Sequence, residues 1–224
     1  MIDPLEPRFI FIFDLDGVLI DTSKYHFKAW KEAMKKFSFD FSESLSEELK
    51  GLDRNQSLEK ILIAAGLHLN ESEKLQLAEV KNKLFLSNIA NLNENDIIPG
   101  MENFLKETVR IKIPMAIGSS SRNAILLLEK TGLKKYFEII VDGNMILKPK
   151  PDPEIYLSIA QKVNFIPKRC IVFEDSKSGV EAGKKAGMFV VGIGDHDYLD
   201  QADLVFASLK QIRAHEVANW FSII

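Results

Sequence analysis

Short apolar runs alternate with helix-spaced stretches along most of this chain. Runs rich in Ile, Val and Phe fall at Arg8–Phe13, Ile113–Gly118, Glu138–Val141, Cys170–Phe173, Phe189–Ile193 and Asp203–Phe206. Between them, Pro99–Arg110, Arg122–Thr131, Asp152–Val163 and Ser176–Ala186 carry apolar residues three and four apart, the spacing of a helix that buries one face. Strands that are nearly continuously apolar and alternate with helices predict an α/β fold: a Rossmann-like parallel sheet with helices on both faces.

One interval breaks the alternation. From about Asp21 to Asn95 no run reads as a strand, whereas Lys24–Phe37, Ser57–Ala65 and Glu71–Ile89 read as amphipathic helices. A connection of that length is improbable as a loop. The expected organisation is a core of residues 1–20 and 96–224 with a helical cap of residues 21–95 inserted into it. The chain would cross between them twice, near Asp21 and near Asn93–Pro99, and two adjacent crossings make a hinge.

Composition narrows the class without deciding it. The 224 residues are 46% hydrophobic and 27% charged, with a net charge of −3, which suits a globular protein and calls for neither nucleic acid nor an acidic membrane surface. The apolar runs fall short of a bilayer span, and Met1–Arg8, with Asp3, Glu6 and two prolines, lacks a signal-peptide pattern. Cys170 is the only cysteine, so no intrachain disulfide forms, and its apolar strand makes it a core residue. A cytoplasmic monomer is expected.

Four polar clusters lie at the carboxyl ends of predicted strands, where open α/β sheets bind ligands. At the first, Asp14 and Asp16 flank Leu15, and Gly17 follows. Alternation puts both carboxylates on one side, where they repel unless a proton or a divalent cation intervenes. A solvated turn at the end of a strand has the same pattern. At the second, Gly118-Ser119-Ser120-Ser121-Arg122-Asn123 precedes a helix; it reads as a phosphate cradle or as a serine cap. At the third, Lys148-Pro149-Lys150-Pro151 reads as a stiffened segment aiming the Lys148 ammonium into the site, or as a solvated proline-rich loop. Glu174 and Asp175, the fourth, would complete an oxygen-rich shell suited to Mg²⁺.

In order and spacing these clusters resemble the haloacid dehalogenase superfamily of phosphotransferases, over essentially the whole chain. The resemblance implies that Asp14 is the nucleophile that becomes phosphorylated and Asp16 the general acid/base. It also implies that Ser119 and Lys148 hold the transferring phosphoryl group, and that Asp14, the Asp16 carbonyl, Glu174 and Asp175 surround Mg²⁺.

Within the superfamily, three cap segments are similar to the β-phosphoglucomutase-like branch: Asp21–Trp30, Leu49–Leu58 and Val80–Asn82. That likeness implies a phosphohexomutase working on a sugar phosphate through a hexose bisphosphate. A distal phosphate would then meet Arg54, Ser121, Arg122 and Asn123, while Thr22, His26, Trp30, Lys50, Gly51, Leu52 and Ser57 would face the sugar. His26 and Lys81 would couple cap closure to Asp14. Read residue by residue, His26 and Trp30 equally suit a structural role, and Lys50 and Lys81 equally suit solvent. A sugar-phosphate phosphatase on the same scaffold uses the same two aspartates and is the alternative; a catalytically retired binding protein would have lost an acid that this chain keeps. Asp195-His196-Asp197 reads as a polar loop, and Gly192-x-Gly194 lacks the third glycine of a dinucleotide fingerprint.

Overall fold

Each of the six apolar runs forms a strand in the computed structural model, which describes residues 9–223. Arg8, the expected first residue of the first strand, lies outside that range with the rest of Met1–Arg8. In chain order the elements are β1 (Ile10–Phe13), α1 (Ser23–Met34), α2 (Glu43–Glu48), α3 (Arg54–Ala65) and α4 (Glu71–Asn88). Then come α5 (Met101–Arg110), β2 (Met115–Gly118), α6 (Ala124–Lys130), β3 (Ile139–Val141) and α7 (Glu154–Lys162). The chain continues with β4 (Cys170–Glu174), α8 (Lys177–Lys185), β5 (Phe189–Ile193), β6 (Leu204–Phe206) and α9 (Ala214–Ile223). All neighbours pair in parallel, in the order β3-β2-β1-β4-β5-β6. The direction of winding reverses beside β1, so the crevice past its carboxyl end is the topological switch point.

Alternate strand residues serve opposite faces. Phe11, Phe13, Ile117, Ile171 and Phe173 pack with Leu105 of α5, Leu127 of α6 and Val217 of α9. Ile10, Ile12, Ala116, Cys170 and Val172 face the other way, onto Ile155 and Ile159 of α7 and Val180 of α8. The Phe13 and Phe173 rings stack with centroids 4.7 Å apart directly beneath the site. Each such ring contributes about 1.5–3 kcal/mol by burial, which anchors the strand ends that carry the acids.

Helices α1 to α4 enclose a hydrophobic cluster of their own, with Trp30, Met34, Phe41, Leu58, Ile61 and Leu77 buried in it. Helix α3 begins at Arg54, earlier than the apolar spacing suggests, because Asp53 and Gln56 form a reciprocal capping box. Helices α2 and α9 were not anticipated; α2 is six residues long and buries none of its side chains.

The two chain crossings run side by side: Asp21 N–H donates to the Asp96 carbonyl (2.8 Å) and Ile98 N–H to the Leu19 carbonyl (2.9 Å). The Asp96 carboxylate accepts from Lys24 Nζ (2.7 Å) and the Tyr25 hydroxyl (2.9 Å), tying the start of α1 to the returning strand of chain. Among the described residues, no helix is long and apolar enough to cross a membrane.

Candidate active site

Asp14 leaves β1 with its N–H bonded to the Phe173 carbonyl (2.9 Å), so the sheet itself sets the position of its carboxylate. Gly17 follows at φ +88°, where a Cβ would overlap the Asp175 carboxylate. Only glycine allows the two acids from β1 and β4 to come so close.

Lys150, and not Lys148, is the lysine of the site. Its fully buried Nζ donates to Asp14 Oδ1 (2.6 Å), Glu174 Oε1 (2.6 Å) and the Gly118 carbonyl (3.0 Å). Lys148 is turned outward, its side chain 73% exposed, because the Glu154 carboxylate accepts the Leu147 and Lys148 N–H groups (3.0 and 2.7 Å) and folds the loop back on α7. Burial alone would lower the Lys150 pKa, but Asp14 and Glu174 outweigh it and hold the group well above its ordinary value.

Glu174 makes a second set of bonds besides its place in the acidic cluster. Its Oε1 accepts from Lys150 and from the Tyr156 hydroxyl (2.7 Å), and its Oε2 from the Asp175 and Ser176 N–H groups and the Ser176 hydroxyl (3.0, 3.2 and 2.9 Å). With both oxygens so engaged, Glu174 chiefly orients Lys150 and the turn that carries Asp175. Helix α8 can pass this close because residue 179 is glycine; a Cβ there would overlap the carboxylate.

Asp14, Glu174 and Asp175 nevertheless bring one oxygen each within 4.8 Å of one another. Burial, then the neighbouring carboxylates, push Asp175 well up, and burial pushes Asp14 up to about 8 against the pull of Lys150. With all three carboxyls ionised, as a bound cation would hold them, three carboxylates against one ammonium leave two negative charges to be met. An all-oxygen donor set with that charge fits Mg²⁺, with Asp14, Glu174 and Asp175 each able to offer one oxygen.

Asp16 sits apart from this cluster. Its Oδ1 accepts from the Thr22 hydroxyl (2.5 Å) and lies 3.5 Å from His26 Nε2, and its Oδ2 accepts from Ser119 Oγ at 3.4 Å. His26 Nδ1 in turn meets Lys81 Nζ at 2.9 Å. When Lys81 is charged it can only donate, so His26 Nδ1 then accepts and carries its proton on Nε2, facing Asp16. The cap therefore reaches Asp16 through His26 and Lys81, not Asp14 as expected. Burial would raise the Asp16 pKa, but His26, Thr22 and Lys81 together hold it below the carboxylate range. Burial and the Arg54 charge bring Lys81 down to about 7, and burial with Lys81 lowers His26.

A cavity of about 620 Å³ lies between the sheet edge and the helical insert, and Asp14, Asp16 and Asp175 line one part of it. Arg54 from the insert and Ser121, Arg122 and Asn123 from the loop after β2 line another. Arg54 Nη2 and Asn123 Nδ2 both donate to Asn82 Oδ1 (2.8 and 3.1 Å), which joins the two sides. Burial and the nearby Arg122 guanidinium both lower the Arg54 pKa. Ser119 is fully buried and receives the Ser121 N–H (3.1 Å).

Thr22, His26, Trp30, Lys50, Gly51, Leu52, Ser57 and Lys81 also border the cavity. Trp30 belongs as well to the hydrophobic cluster of the insert, Ser57 Oγ is bonded to the Asp53 carbonyl (2.8 Å), and Lys50 pairs with Glu47 at 2.5 Å. The insert is docked on the core: Ser120 Oγ donates to the Gly51 carbonyl (3.0 Å) and Gln56 Nε2 to the Lys150 carbonyl (2.9 Å).

Four contributors were missed at the sequence level. Lys150 shares its lysine-proline signal with Lys148; Gln56 and Asn82 lie in the cap segments that carry the resemblance but take no role from it; and Tyr156 acts through a long-range hydrogen bond that no local pattern announces. The Asp195-His196-Asp197 segment is the polar loop expected, with Asp195 Oδ1 accepting the Asp197 and Tyr198 N–H groups (2.8 and 3.2 Å).

Residues 11–193 match the family model described as haloacid dehalogenase-like hydrolase. The chain is 39% identical over 196 residues to a β-phosphoglucomutase of Bacillus subtilis, covering 87% of each chain. It is 36% identical over 212 residues to a phosphorylated carbohydrates phosphatase of Thermotoga maritima, covering 93% of this chain and 95% of the relative. The crystal structure of a β-phosphoglucomutase from Clostridium difficile superposes with a TM-score of 0.91 at 36% identity, covering 97% of this chain and 98% of the other.

Proposed function

The chain belongs to the haloacid dehalogenase-like hydrolase family, and on that footing we propose that it is a phosphohexomutase. In this reading it interconverts β-D-glucose 1-phosphate and glucose 6-phosphate through a phosphorylated Asp14 and a hexose 1,6-bisphosphate. The observation that carries the reading is that one cavity is bordered both by Asp14, Asp16 and Asp175 and by the cations Arg54 and Arg122 with Ser121 and Asn123, which would suit a second phosphate. A bisphosphate intermediate needs two phosphate regions at once, and a monophosphate phosphatase needs one.

In the proposed cycle the ionised Asp16 first takes the proton from a sugar hydroxyl as that oxygen attacks the phosphorus of the aspartyl phosphate, and the bond from phosphorus to Asp14 breaks. In the second step the Asp14 oxygen that Lys150 leaves free attacks the phosphorus at the other end of the bisphosphate, the bond from that phosphorus to the sugar oxygen breaks, and Asp16 returns the proton to the departing oxygen. Ser119 holds the transferring group, Lys150 orients Asp14 and offsets the charge there, and Thr22, His26 and Lys81 orient Asp16. A bound Mg²⁺, held by Asp14, Glu174 and Asp175, would neutralise charge on the phosphoryl oxygens. The helical insert acts as a cap that excludes water, which protects the aspartyl phosphate from hydrolysis. One chain supplies all these groups, in keeping with a monomer.

The test follows glucose 6-phosphate and free phosphate separately, with Mg²⁺, β-glucose 1-phosphate and a trace of glucose 1,6-bisphosphate. Isomerised sugar is expected to exceed released phosphate by at least about tenfold; phosphate released in step with substrate, with no isomerised sugar, would make the protein a phosphatase. A second variant bears on the distal region. Arg54→Ala is expected to lower mutase turnover by about 10²-fold while changing hydrolysis of p-nitrophenyl phosphate about twofold or less. Equal losses on the two substrates would remove Arg54 from the distal phosphate site.

A further inference from the structure

The residues at the distal end of the cavity are held from behind by a turn that carries no motif. Four consecutive positions of the loop after β2 meet the end of β3 and the turn that follows it. Ser119 N–H donates to the Val141 carbonyl (3.0 Å), and Gly143 N–H donates to the Ser121 carbonyl (3.4 Å). Asn144 Nδ2 donates to the Arg122 carbonyl (3.0 Å). At Ser120 the two backbones touch: a Cβ on Gly143 would overlap the Ser120 carbonyl oxygen and come within 3.2 Å of Arg122 Cγ.

The turn is itself built to stay in place. Asp142 is buried, 3% exposed, and its Oδ1 accepts the Asn144 N–H (2.8 Å) while its Oδ2 accepts Asn144 Nδ2 (3.2 Å). The Asn144 amide is therefore fixed by Asp142 before it reaches across to the loop. With the carbonyls of Ser121 and Arg122 drawn back onto this turn, the chain at 121–123 borders the cavity.

We propose that the Asp142–Gly143–Asn144 turn is a specificity-determining brace: it sets how far Ser121, Arg122 and Asn123 stand from Asp14, and hence the length of sugar bisphosphate that spans the cavity. The inference rests on the two-phosphate reading above. Gly143 is the contact point that sets the spacing, and Asn144 is the latch that holds it. Asp142, Gly143 and Asn144 are positioning residues, acting through the loop in front of them. A misplacement of about 1 Å between two gripped ends costs on the order of 10²-fold in turnover, so a small shift here is expected to be felt by a substrate held at both ends. A substrate gripped only at Asp14 is expected to be indifferent to it.

The experiment measures KM and kcat for glucose 1,6-bisphosphate, hydrolysis of p-nitrophenyl phosphate, and thermal midpoint, in Gly143→Ala, Asn144→Ala and Arg122→Ala. Gly143→Ala is expected to raise KM for the bisphosphate about tenfold and Asn144→Ala about threefold, with aryl phosphate hydrolysis within about twofold of the parent. The thermal midpoint is expected to stay within about 2 °C in Asn144→Ala and to fall by several degrees in Gly143→Ala, whose Cβ must push the Ser120 carbonyl aside. If Arg122→Ala raises KM and neither turn variant does, the brace is wrong and the two-phosphate reading stands. Should Arg122→Ala also leave KM unchanged, the reading and the brace fall together. Equal losses on the bisphosphate and the aryl phosphate would make the turn a merely structural element and overturn the proposal.

Discussion

Asp14→Asn is expected to abolish phosphoryl transfer, by at least about 10⁴-fold, while the fold is kept. The amide has nearly the volume of the carboxylate but is a poor nucleophile, and the position is fixed by the backbone bond to Phe173, which the substitution leaves intact. The exchange also removes one of the three crowded carboxylates, Asp14, Glu174 and Asp175, so the thermal midpoint is expected to hold or rise. Turnover of both the sugar phosphate and p-nitrophenyl phosphate, with circular dichroism as the control on folding, checks this. Turnover above about a thousandth of the parent would transfer the nucleophile's role to another group, and a lost fold would return Asp14 to a structural one.

Lys150→Met and Lys148→Met are expected to differ sharply. Lys150 is fully buried between two carboxylates, so its loss leaves Asp14 and Glu174 facing each other without a counter-charge. Breaking a buried pair of this kind costs on the order of 3 kcal/mol, and part is recovered when a carboxyl takes up a proton. For a chain of this size that is a fall of several degrees in thermal midpoint, roughly 2–4 °C per kcal/mol. Turnover is expected to fall by about 10²–10³-fold, the usual effect of removing one charge that steadies the reacting groups. Lys148→Met is expected to change neither quantity, since that side chain lies in solvent. A loss of turnover confined to Lys148→Met would restore the assignment made from sequence.

The contrast between the two lysines shows where a linear reading stops. Both precede a proline in Lys148-Pro149-Lys150-Pro151, both are biased to extended backbone, and two residues of spacing aim both at one side of an extended chain. What separates them is Glu154, whose carboxylate captures the N–H groups of Leu147 and Lys148 and turns the loop. Glu174 is a similar case. Its acid type and strand-end position mark it as a metal ligand, but the hydroxyl that it also binds comes from Tyr156 on α7, 18 residues away. His26 and Lys81 are 55 residues apart and meet only because α1 packs on α4, which also decides that they serve Asp16.

By itself the sequence determined the six strands, most of the helices and their order. Short runs rich in Ile, Val and Phe that alternate with helices form a sheet covered on both faces, and acids at the strands' carboxyl ends then collect at one edge of it. The family resemblance followed from that order, since the spacing of Asp14, Ser119 and Glu174-Asp175 is local information carried by the chain. Only the tertiary structure decided which lysine meets the acids, which acid also binds Tyr156, and which aspartate the cap addresses. Those are differences of direction between neighbouring side chains. They are set by hydrogen bonds to residues tens of positions away, and no short-range period of the sequence encodes them.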